Sequence, residues 1–142
     1  MNEPVVVSNA LLAEPDVRSA ARLTEVLSQL SQLQELDDDW DMDGAHRIDQ
    51  EAIGLASRLV RQVEEMAQRV DMPWQSPEIG PVPDGSVALT WEGDARQTLM
   101  VFRPGKSTTV ECITKEEGIQ PARQIVSETE AVQLALWALG SG

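Results

Sequence analysis

At Pro73 the spacing of apolar residues changes from helical to extended, and this switch constrains the fold more than any other feature of the chain. Upstream, Ala20, Leu23, Val26, Leu27, Leu30, Leu33 and Leu36 recur at steps of three and four, which lines them along one face of a helix. Asp16 is placed to cap that helix, and Pro15 marks its entry. A second helix is expected from Asp49 to Val70, with Asp49 as cap and Ile48 and Ile53 spaced as a hydrophobic staple. Its seam of Ala52, Ala56, Leu59, Val63, Met66 and Val70 packs within the chain, or alternatively forms a homodimer. Pro73, Pro77, Pro81 and Pro83 then break the helical register.

Downstream the period is two. Glu78 to Val82 reads as an extended segment that its prolines confine to a sheet edge. Pro83-Asp84-Gly85 is a turn. Val87, Leu89 and Trp91 alternate with Ser86, Ala88 and Thr90, as in a half-buried strand. Thr98 to Arg103 is apolar on both faces and reads as the central strand, and Ser107 to Thr114 follows with Val110 and Cys112 on one face. Gly118 and Pro121 break the chain. Ser127 and Glu130 have the spacing of a capping box for a helix from Thr129 to Leu139, which is apolar almost all round. A chain of 142 residues suffices for one core and not comfortably for two. The expectation is therefore one α+β domain over residues 1–142. It comprises an arm (1–15), an antiparallel helical hairpin (16–72), a three- to four-stranded antiparallel meander (77–114) and a C-terminal helix (127–139).

Charge narrows the function classes. Twenty-four acids face eleven bases, for a net charge of −13. Direct contact with nucleic acid or with an anionic membrane needs clustered Lys and Arg, so neither is expected, whereas a basic protein partner is. The single cysteine, Cys112, excludes an intrachain disulfide and fits a reducing compartment. The N-terminus lacks the basic and apolar regions of a secretory signal, and no apolar run reaches membrane-span length, so a cytoplasmic location is expected.

The chemistry on offer concentrates in Asp37-Asp38-Asp39-Trp40-Asp41-Met42-Asp43-Gly44, between the two helices. With Asp39 in first place, Asp41, Asp43 and Gly44 fall third, fifth and sixth, and Ala45 would offer its carbonyl from the seventh; to this point the loop resembles an EF-hand. The resemblance implies calcium on Asp39, Asp41, Asp43 and Ala45. It departs at the twelfth position, where Gln50 replaces the bidentate glutamate, and at the eighth, where His46 stands. The other reading is a structured corner: Asp side chains bond nearby amides, Trp40 plugs the helix junction and Gly44 takes a positive φ. Trp40-Asp41-Met42-Asp43-Gly44-Ala45 also resembles a Trp-Asp-x-x-Gly-Ala motif of small uncharacterised bacterial proteins, in which a helix–loop–helix precedes a β-meander. That resemblance covers roughly residues 30–103 and implies an α+β fold and no activity.

Catalytic patterns are weak. His46 and Cys112 are far apart in sequence, one His and one Cys do not make a zinc site, and Pro104-Gly105-Lys106-Ser107 lacks the first glycine of a phosphate loop. No catalytic residue and no cofactor is expected, calcium being the alternative. The expected function is non-enzymatic: an acidic interaction or inhibitor protein of the antitoxin, immunity or anti-nuclease type, able to mimic the charge of DNA. Asp37, Asp38, Asp39, Asp41 and Asp43 would meet the basic partner, together with Trp74, which is expected to be exposed among its prolines. Residues 1–76 carry 15 acids against 6 bases and residues 77–142 carry 9 against 5, so the acidic face is expected on the helical part.

Overall fold

The computed structural model describes residues 20–106 and 108–140. The expected arm and the Asp16 cap lie outside the described residues. Helix α1 occupies residues 20–32 and tightens into a 3-10 turn at Leu33–Glu35. After a loop, α2 runs from Gln50 to Arg69, capped by the Asp49 side chain accepting the Ala52 N–H. Five strands follow: β1 (Glu78–Pro81), β2 (Val87–Glu92), β3 (Arg96–Phe102), β4 (Thr109–Glu116) and β5 (Ile119–Ser127). Helix α3 (Glu128–Leu139) closes the described chain.

The strands form one antiparallel sheet in the order β1-β2-β3-β4-β5. Because side chains alternate across a strand, the register fixes two faces. One face carries Val87, Leu89 and Trp91, then Thr98, Met100 and Phe102, then Val110 and Cys112, all of them buried. Helix α3 lies against β2, β3, β4 and β5, and α2 lies against β2, β3 and α3. Leu30 and Leu33 from the first helical segment, Leu55, Leu59 and Val63 from α2, and Ala131, Ala135 and Ala138 from α3 join these strand residues in one core. The α2 seam is thus spent within the chain: Ala52, Ala56, Leu59 and Val63 are buried, while Met66 is half-buried and Val70 exposed. The opposite sheet face, away from this core, carries Ala88, Leu99, Val101, Ile113 and Ile125.

Two expectations change. Among the described residues the meander has five strands, not three or four, because the chain does not break at Gly118 and Pro121. Gly118 takes a positive φ of 79° in a tight turn, the register shifts between Thr114 and Glu116, and β5 pairs along β4. Pro121 is tolerated because β5 is an edge. Trp74 is not exposed: it retains 4% of its accessible surface and packs edge-on against Trp91, with ring centroids 6.2 Å apart and planes at 70°. The prolines around it do not turn the indole outward. Its carbonyl, meanwhile, accepts from Arg22 Nη1 at 3.0 Å.

Candidate functional site

The aspartate stretch forms the loop between the 3-10 turn and α2. This stretch has no regular ladder, so its amides need other acceptors, and the aspartates supply them. Asp38 Oδ1 accepts the Arg47 N–H at 2.8 Å, and Asp39 Oδ1 accepts the Gly44 N–H at 2.7 Å. Asp41 Oδ1 accepts both the Asp43 N–H at 2.8 Å and the Ala45 N–H at 3.0 Å. The Asp39 N–H donates to the Ala45 carbonyl at 2.6 Å, and the Met42 N–H to the Asp39 carbonyl at 3.0 Å. Asp39, Met42 and Gly44 all take left-handed φ values, of 66°, 62° and 85°. Aspartate and glycine tolerate that region; a methionine there is held by the bonds on either side of it.

The loop is anchored to the body of the fold. Trp40 packs against the core, and its Nε1 donates to the His46 carbonyl at 2.9 Å. The His46 N–H donates to the Pro83 carbonyl and the Asp49 N–H to that of Gly85, at 2.7 and 2.9 Å, which pins the loop to the β1–β2 turn. Gly85, at φ 92°, has the Arg47 carbonyl 3.0 Å and Pro104 Cγ 3.3 Å from where a Cβ would stand. Only a glycine fits this junction of the loop with the β1–β2 and β3–β4 turns.

What the anchored loop presents is Met42, 90% exposed, between Asp41 and the exposed Asp43. Asp37 lies at the base, its side chain 84% exposed and 3.1 Å from Arg47 Nη2. An ion pair this exposed contributes little to stability, so Asp37 remains available to a partner. The structure therefore brings Asp37, Asp38, Asp39, Asp41 and Asp43 together on one loop and leaves Trp74 out of it. The four residues assigned to calcium, Asp39, Asp41, Asp43 and Ala45, share that loop, with Oδ1 of Asp39 and Asp41 and the Ala45 carbonyl already accepting loop amides. Among the described residues no group of three or more His, Cys, Asp or Glu side chains is arranged to hold a metal ion.

The other candidates separate in space. Cys112 is fully buried on the covered sheet face, and burial pushes its thiol up to about 12. His46 is exposed on the loop. A charged group that the sequence did not reveal sits on the sheet face away from the core. Glu111 accepts from Arg123 Nη2 at 2.6 Å and from Arg103 Nη2 at 2.9 Å, and Arg103 Nη1 reaches Asp84 at 2.7 Å. Arg123 and then Arg103 hold the Glu111 carboxyl below the usual glutamate range, although burial would raise it. Only strand register brings these residues together. Met42 also went unread in the sequence, although a large apolar residue inside an acidic turn is a signal for an exposed contact.

Comparison of the chain with family models, with curated proteins and with solved structures finds no match. Among the described residues, no helix is long and apolar enough to cross a membrane.

Proposed function

We propose that this chain is a non-enzymatic interaction protein, of the antitoxin, immunity or inhibitor kind, that binds a basic protein surface through the aspartate loop. The observation that carries this reading is Met42, 90% exposed at the tip of a loop whose backbone is bonded on both sides of it and whose rim is carboxylate. A preorganised loop loses little entropy on binding, an apolar tip supplies buried contact area, and surrounding carboxylates steer a basic partner and exclude acidic ones. The chain's net charge of −13 adds long-range attraction.

The test substitutes Asp37, Asp38, Asp41 and Asp43 together by Asn. Asparagine keeps a side-chain carbonyl for the loop amides and removes the charge. In a pull-down with a basic nucleic-acid enzyme as bait, the wild-type chain is expected to bind at low salt and to release as salt rises. The asparagine variant and Met42→Ala are expected to bind weakly throughout. Equal capture of all three, unchanged in high salt, would overturn the reading. The alternative, calcium in the loop, draws support from the Asp39-Asp41-Asp43-Gly44 spacing and the left-handed Gly44. Calorimetry that shows no heat at millimolar calcium would end it.

A further inference from the structure

Among the described residues the sheet has two free edges, and they are built differently. β1 is four residues long, ends in Pro81 and is preceded by Pro77, features that blunt an edge. β5 is nine residues long, the longest strand of the sheet, and all of it but Val126 is exposed. One side of its backbone pairs with β4; its outward amides and carbonyls have no neighbouring strand among the described residues. Two of the exposed large hydrophobic residues, Ile119 at 61% and Ile125 at 69%, lie on this strand. Residues 118–127 contain no acid and a single charge, Arg123. In a chain of charge −13, two copies repel wherever acidic surfaces meet; this edge offers ten residues without an acid, flanked by Glu116 and Glu117 on one side and Glu128 and Glu130 on the other.

We infer that β5 is a self-association edge, on which a second copy of this chain adds its own β5 antiparallel to form one continuous sheet. The edge itself fixes the chemistry of the occupant, since unpaired strand amides take another strand. A second copy meets the remaining requirements. A two-fold axis through Gln124 pairs residues 121–127 of each copy. It sets Arg123 opposite Ile125 rather than opposite its own counterpart, and so avoids a like-charge pair. The alternative axis through Arg123 would place the two guanidinium groups face to face. On the helix-covered side, Ala122 would meet Val126 of the second copy and extend the core row of Thr98 and Thr114. The proposal is independent of the aspartate loop, which is bonded to the β1–β2 turn, toward the other edge of the sheet.

Sedimentation equilibrium of the purified chain tests it. The expected mass is twice 15.6 kDa, falling to the monomer on dilution. Ile125→Lys faces the second copy's Arg123 with a like charge and is expected to sediment as monomer, while Val70→Lys, on a different exposed apolar residue, remains dimeric. Amide exchange of the wild-type chain gives a readout that needs no variant: protection within residues 121–127 is expected to rise with protein concentration. A wild-type chain that is monomeric at the highest soluble concentration, or a dimer whose β5 exchange does not depend on concentration, would overturn the proposal.

Discussion

At the scale of single residues, two positions decide more than their size suggests. Gly85 combines a left-handed φ with a backbone carbonyl 3.0 Å from any Cβ, so Gly85→Ala is strained both torsionally and sterically. A loss of about 2 kcal/mol is expected from such strain, read as a fall in Tm of roughly 4–8 °C. Gly54, inside α2 with nothing within 4 Å of where a methyl group would stand, is the opposite case: Gly54→Ala should stabilise by roughly 0.5–1 kcal/mol through helix propensity. Glu111 is the second position. Its carboxyl is depressed in the folded chain, so the stability it contributes is complete above the ordinary glutamate pKa and is lost as pH falls through the depressed folded value. Denaturant titrations of the wild type and of Glu111→Gln should therefore differ by about 1–2 kcal/mol at pH 7 and converge in strong acid. A gap that stays constant down to acid would show that the two arginines do not act through the charge of Glu111.

Among the elements, α3 shows how an apolar segment is used. Its sequence is apolar almost all round, which fits a buried helix or one that covers a partner. The structure buries Ala131, Val132, Ala135 and Ala138 and leaves Leu134, Leu136, Trp137 and Leu139 half-buried around the rim. Small residues at the contact let α3 sit close to the sheet, where Thr98 Oγ1 donates to the Leu134 carbonyl at 2.9 Å. Ala135→Leu should overpack this contact and cost about 1–3 kcal/mol, measured by chemical unfolding. The caps of α2 and α3 were legible because their signal is local: Asp49 and Ser127 each stand one residue before their helix and accept the amide that spacing predicts. β5 was not legible. With Pro121, Arg123 and Gln124 in it and only Val126 buried, it has no alternation to read, and its pairing with β4 alone makes it a strand.

For the molecule as a whole, the charge of −13 sets an expectation that no single contact contains. Screening the mutual repulsion of the acids should raise Tm between low and physiological salt, with the gain smaller in a variant whose loop aspartates are replaced by asparagine. A Tm that falls with salt would mean that attractive pairs such as Arg103–Asp84 outweigh the repulsion. Local spacing by itself determined the α+β class, both helix caps, the central strand and the location of the acidic loop, because apolar period, capping and turn chemistry act over only a few residues. Tertiary structure decided the rest. It buried Trp74 against Trp91, joined Glu111 on β4 to Arg123 on β5 and to Arg103 just past β3, and, among the described residues, left the fifth strand at the sheet edge. It also spent the Oδ1 atoms of Asp39 and Asp41 on loop amides while leaving Met42 bare at the tip. Each of these depends on register or packing that the local pattern of apolar and polar residues does not encode.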